Sequence, residues 1–279
     1  MTNLRSVLLS AVALTLLGVS SVAADKSAGK SELRTALGIV EIQVTPGSAA
    51  DENSLNCITA QSFYLAHTLA ADLGIVDERT TLPQRWKIQF KQSFQNSSLR
   101  LRSGESALFH TALMSPPADI YVDLSSFREP KASLVGADGI ACRGWSQSLV
   151  TTLIHEVAHG LEFALMGEAM SHRLRWHAEG FAMWFEREYR RRHFGEKFAD
   201  NSILDNSIVY SFSAGHTDYN HAARIYEAIV AVIGVDGLVS VYRRMSGEKW
   251  TLERALKQES DISLPIYLWL AGNSPDYFK

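Results

Sequence analysis

The chain has little cysteine, no excess of positive charge and no second long apolar run. Only Cys57 and Cys142 occur in 279 residues, and neither stands at a metal-ligand spacing. With a net charge of −3 there is no broad basic field to attract nucleic acid or anionic lipid, so nucleic-acid binding is not expected. Beyond the N-terminus the longest apolar run is AIVAVIGVDGLVSVY, 228–242. Asp236 interrupts it, and it falls short of the ~20 residues that span a bilayer, so no transmembrane helix is expected there. Internal repeats and low-complexity tracts are also missing. What remains is ordinary globular composition, 46% apolar and 20% charged, in a chain long enough for one sizeable core.

The first residues read as a secretory signal. MTNLR carries one positive charge, SVLLSAVALTLLGV is the apolar segment, and SVAAD offers Val22 and Ala24 at the two positions that matter for cleavage. Residues 1–24 are therefore expected to be removed, leaving a secreted or periplasmic chain with no membrane attachment. No Cys follows the apolar segment, which argues against a lipid anchor. In an oxidising compartment Cys57 and Cys142 either bridge or stay as two buried thiols, and the sequence leaves both open.

Periodicity sketches the rest. Residues 25–34 are polar and read as loose. ALGIVEIQV (36–44), RWKIQFKQSF (85–94) and ADIYVDLSSF (118–127) alternate as strands do. Residues 54–75 have a helical period with Gly74 as the stop, and 128–145 read as a loop. After Ser146 the pattern is helical: about 147–166 with Gly167 as stop, about 173–193, from Tyr219 to Gly234, and short helices over 236–270. The expectation is an α+β fold in a single domain, 25–279, with an α+β lobe (25–145), a helical lobe (146–279) and a site between them.

One stretch carries chemistry. TTLIHEVAHGLEFAL (151–165) holds His155, Glu156 and His159 as H-E-x-x-H, on a helix whose apolar stripe is Leu153, Ile154, Val157, Leu161 and Ala164. Histidines four apart share one helix face, so both imidazoles can reach one Zn2+ ion, and Glu156 is placed as general base for an attacking water. A zinc hydrolase needs a third protein ligand. Glu162 and Leu165 stand where a metzincin has Gly and His, which excludes that variant. The next helix offers Glu179 in RWHAEGFAMWFERE, among Trp176, Gly180, Phe181 and Met183 rather than on a solvated face. His177, two residues before it, points elsewhere and is not expected to be a ligand.

H-E-V-A-H followed by W-H-A-E-G-F-A resembles the gluzincin zinc metallopeptidases of the thermolysin-like clan. It is most similar to the membrane alanyl-aminopeptidase type and its smaller relatives, over about 150–245. That resemblance implies a zincin-like fold, with a small mixed sheet and helix in the N-terminal lobe. It further implies that His155, His159 and Glu179 hold zinc, that Glu156 is the base, and that the substrate is an extended peptide or protein. Glu186, seven residues after Glu179, would either orient a ligand histidine or pair with a surface Arg. A family helix that opens on Tyr, with Gly fifteen residues on, matches Tyr219 and Gly234. It implies Tyr219 as donor to the developing oxyanion, with His216 and His221 as rivals.

The chain departs from the pattern in three places. The gap from His159 to Glu179 is one residue longer, Ala178 replaces an Asn, and nothing corresponds to the G-x-M-E-N segment that holds a free amine. Exopeptidase specificity is thus not implied, and ADIYVDL is a candidate edge for pairing with a peptide. Two other functions fit the same ligands: a zinc amidase acting on a non-peptide or cell-wall amide, and a non-catalytic metal-stabilised binding protein. Glu156 argues against the second, because a structural site has no use for a base. Oligomeric state is not legible.

Two further features are read as structural. The basic cluster in EREYRRRHF (186–194) is expected to be a solvated helix end. Trp184, Phe185 and Tyr189 are expected in the core.

Overall fold

A computed structural model describes residues 29–45, 52–91, 112–115, 118–135, 141–167, 174–198, 203–204, 206–213 and 215–273. The expected signal, 1–24, lies outside the described residues. The fold is mixed α+β, and every described strand precedes the first of the site helices.

Strands β1 (Lys30–Thr35), β2 (Gly38–Val44), β3 (Arg85–Lys91), β4 (Ala112–Ser115) and β5 (Asp119–Asp123) form one sheet in the order β1-β2-β3-β5-β4. Its interior pairs, β2–β3 and β3–β5, are parallel, and its outer pairs, β1–β2 and β4–β5, are antiparallel. Alternation in the sequence puts one face inward. Val40 faces Trp86, Ile42 faces Ile88, and Phe90 faces Val122 across the registers, all of them buried. Each such side chain contributes about 1.5–3 kcal/mol on burial. Helix α1 (Glu52–Asp72) lies against β1, and Gly74, at φ 74°, ends it in a conformation that favours glycine.

Several expectations need correction. Residues 30–35 are a strand, not loose chain: Leu33 is buried, and β1 pairs along its whole length with β2. Polar composition hid this because an edge strand needs only one anchored residue. Within the expected loop 128–145, β6 (Arg128–Val135) and β7 (Ala141–Trp145) are strands that pair antiparallel. Their irregular register blurs the alternation that would have revealed them. Cys142 of β7 is joined to Cys57 of α1 by a disulfide, so the bridge left open by the sequence is made. ADIYVDL is not an edge either, since β5 lies between β3 and β4. Among the described residues the outer strand on that side is β4, and the first site helix runs beside it.

The helices are α2 (Gln147–Met166), α3 (Arg175–Phe194), α4 (His216–Glu248), α5 (Leu252–Ser260) and α6 (Leu264–Asn273). Gly234 breaks α4 at φ 70° and ψ 176°, close to the expected stop, but helix resumes and runs to Glu248. Short helices over 236–270 are therefore only α5 and α6. Contrary to expectation, the helical segment Thr217–Glu248 is long enough, and in one 18-residue window apolar enough (mean hydropathy 1.7), to cross a membrane by length and composition alone. The packing supplies another reason for that composition. α4 is the central core helix of this half, in contact with α2, α3, α5 and α6, and Ala222, Ile225, Tyr226 and Ile229 are fully buried.

Two glycines allow the close approaches that bring the site helices together. A Cβ on Gly160 of α2 would lie 2.1 Å from the Trp86 ring of β3, and one on Gly180 of α3 would lie 2.6 Å from the Tyr226 ring of α4.

Candidate metal centre

α2 lays its apolar stripe on the sheet and α1, and α3 packs along it. His155 and His159 leave α2 one turn apart, with ring centroids 5.0 Å from each other. Glu179 comes from the first turn and a half of α3. Its Oε2 is 3.4 Å from His155 Nε2 and 3.6 Å from His159 Nε2. One donor atom from each of the three residues falls within 4.8 Å of the others. The structure thus brings together the three ligands that the sequence proposed.

Glu186, one of the open cases, takes both positions considered for it. Its Oε2 lies 3.4 Å from His155 Nδ1, and its Oε1 accepts from Arg190 at 3.4 Å. It holds the His155 ring by the nitrogen that faces away from Glu179, the arrangement by which a carboxylate fixes the tautomer of a metal-ligating histidine.

Glu156 is buried, and its Oε2 has no hydrogen-bond partner among the described residues. A buried acceptor without a partner costs about 1–3 kcal/mol. That cost is understandable where a polar ligand completes the site. Two imidazoles and a carboxylate, with this orphaned carboxylate oxygen beside them, are a donor set that fits zinc.

The electrostatics are those of packed acids and histidines. Burial alone would push the His155 imidazole down; Glu179 and Glu186, at its two nitrogens, outweigh burial and hold it up at about 10. Burial pushes the Glu156 carboxyl up to about 8, with the charge on His155 opposing and those of Glu179 and Glu186 adding. Burial would also raise Glu179, but the imidazoles of His155 and His159 beside it carry it well below the usual carboxylate range. A divalent cation among the ligands adds positive charge beside Glu156 and draws it back towards ionisation.

Tyr219 sits on the first turn of α4, with its ring centroid 6.5 Å from that of His155. Burial, then the charge of Glu179, push its phenol above the usual range, so it is a neutral donor at working pH. His221 is buried two residues further on, about 200° round the helix from Tyr219. The side chain of His216 lies outside the described residues. Of the three candidate donors, Tyr219 is placed with its ring beside that of His155.

His177 points away, as expected. Its Nε2 lies 3.9 Å from Oε1 of the fully buried Glu162, which accepts from the Tyr242 hydroxyl at 3.2 Å, and the Tyr226 and Tyr242 hydroxyls are 2.8 Å apart. This buried network joins α2, α3 and α4, and sequence reasoning missed it. The one available signal was Glu162 inside the apolar run GLEFAL. The basic cluster is less solvated than expected: Arg187 is buried and pairs with Glu227 at 3.3 Å and Asn220 at 2.9 Å, and Arg191 pairs with Glu188 and Glu227. Trp184, Phe185 and Tyr189 are in the core, as expected.

A scan against protein-family models finds no match for this chain, and a search of curated proteins finds none either.

Proposed function

We propose that the chain is a zinc metallopeptidase of gluzincin type with a zincin-like α+β fold. It acts in a secreted or periplasmic setting on extended peptides or proteins. The observation that carries this reading is the convergence of His155 Nε2 and His159 Nε2 on Glu179 beside the buried Glu156, whose Oε2 has no hydrogen-bond partner among the described residues. A disulfide between Cys57 and Cys142 supports the oxidising location.

His155, His159 and Glu179 would hold the metal, with Glu186 orienting His155. Zinc held there supplies a Lewis acid that polarises the scissile carbonyl and makes a water nucleophilic near neutral pH. Glu156 accepts the proton of the attacking water and returns it to the leaving amine. Tyr219 donates a hydrogen bond to the oxygen on which negative charge develops. β4, the outer strand beside α2 among the described residues, offers backbone for pairing with an extended substrate.

Hydrolysis of fluorescein-labelled casein and of an internally quenched peptide library tests the reading. Full-length zinc-loaded chain should cleave at least one of them. Glu156→Gln should keep its zinc and lose about 100-fold or more of turnover. Undiminished turnover in that variant would remove Glu156 as base, and no turnover by wild type on either substrate would refute the peptidase reading.

A further inference from the structure

Arg175 is the first residue of α3 and stands one turn before Glu179, so both side chains leave the helix on the same face. Its guanidinium carbon lies over the Phe212 ring, 5.8 Å from the centre. Phe212 meets Tyr219 edge-on at 5.3 Å, and the Tyr219 ring is 6.5 Å from that of His155. Those three steps bound the distance from the guanidinium to the candidate metal ligands: at ~3.3 Å per residue, about five residues of extended peptide cover it.

Neither the helix nor its charge balance accounts for this arginine. A cation at a helix N-terminus opposes the helix dipole; the favourable place is the last turn, where Arg191 and Arg192 stand. The other arginines of α3 have acidic partners. Arg187 pairs with Glu227, Arg190 with Glu186 and Glu196, Arg191 with Glu188 and Glu227, and Arg192 with Asp72 and Glu188. Among the described residues Arg175 has no carboxylate within ion-pair distance.

The chemistry of a seated guanidinium suggests what it is for. Arginine on an aromatic ring engages the ring with its face, while its N–H donors lie in its own plane. That planar fork matches a carboxylate, which it binds through two parallel hydrogen bonds. Phe212 is partly buried against the core, so it is a fixed seat. It orders the guanidinium before a ligand arrives, which lowers the cost of binding. We propose that Arg175 is a specificity-determining residue: seated on Phe212 beside the candidate site, it binds a carboxylate of the peptide substrate. This rests on the peptidase reading only for the ligand's being a substrate.

One set of dansyl-labelled octapeptides of alanine and leucine tests it. All are amidated and carry one Glu or one Gln at each position in turn; the Gln members are also made as free acids. The first measurement needs no turnover: dansyl anisotropy with the full-length, zinc-loaded Glu156→Gln chain. A peptide with Glu, or with a free C-terminus, should bind about 10-fold more tightly than its neutral counterpart, near the lower end for a hydrogen bond to a charged group. A preference that follows Glu makes the ligand an acidic side chain; one that follows the free acid makes it a C-terminal carboxylate. Adding Arg175→Ala should bring the ratio below about 2-fold with neutral peptides unaffected, and Arg175→Lys, which keeps the charge without the fork, should retain part of it. Equal affinity for charged and neutral peptides when Arg175 is present would refute the proposal, as would a ratio that survives Arg175→Ala. The second measurement is hydrolysis of the same peptides by the zinc-loaded wild type. The preference should reappear in kcat/KM, carried by KM, and Arg175→Ala should remove it with kcat on neutral peptides unchanged. An equal fall in kcat on every peptide would overturn the specificity role. Carboxylate-selective binding without any hydrolysis would leave the Arg175 site standing and count against the peptidase reading.

Discussion

Gly160 follows the second histidine of the candidate site, and replacing it with alanine tests how α2 is seated. A Cβ there would stand 2.1 Å from Cη2 and 2.4 Å from Cζ3 of Trp86, against about 3.5–4.0 Å for carbon atoms at ordinary separation. The indole has little room to move away. It is 1% exposed, its N–H donates to the Leu37 carbonyl at 2.8 Å, and Phe63 meets it edge-on at 5.2 Å. At a free helix position Gly→Ala gains about 1 kcal/mol. Here the overlap exceeds an ångström against a fixed ring, so the cost lies at or above the upper end of the ~1–3 kcal/mol typical of overpacking. Gly160→Ala should therefore destabilise the fold by about 2 kcal/mol. Urea unfolding followed by tryptophan fluorescence measures it, with chelator present throughout because a metal bound only to the native state would add its own stability. Trp86→Phe should relieve the clash, so the double variant should be more stable than the sum of the two single losses predicts. A Gly160→Ala chain as stable as wild type would refute the close seating of α2 on β3.

Other outcomes follow from the same packing. Replacing both Cys57 and Cys142 with Ser should destabilise the chain by about 4–5 kcal/mol in the chain-entropy relation for a bridge separated by 85 residues, read as a lower urea midpoint matching that of reduced wild type. Glu162→Ala removes the acceptor of Tyr242 and leaves His177 beside a gap, and should cost about 3–5 kcal/mol; Glu162→Gln, which keeps an acceptor, should cost clearly less in the same assay. Equal losses for the two would mean that the carboxylate charge, not the filled volume or a neutral acceptor, carries the network.

The parts of the site that were legible are those set by local periodicity. His155 and His159 lie four apart on a helix, so their shared face follows from the spacing alone, and Glu179 was recognisable by its apolar neighbours. The parts that were not legible depend on partners distant in sequence. Glu162 meets Tyr242 eighty residues away, and His177 stacks on Tyr226 only because α3 and α4 pack at Gly180. The fold divides the same way. β2, β3 and β5 announce themselves through alternation, because one face is buried. β1 carries one anchored leucine, and the β6–β7 pair has an irregular register, so neither shows a period that reasoning from sequence can follow.

The central claim is that His155, His159 and Glu179 bind a single zinc ion. The most direct measurement is an anomalous difference map collected at the zinc absorption edge from crystals of the zinc-loaded chain. The account predicts one strong peak about 2.0–2.2 Å from His155 Nε2, His159 Nε2 and a Glu179 carboxylate oxygen. A map with no peak at these three atoms, or with its strongest peak on other residues, would contradict it.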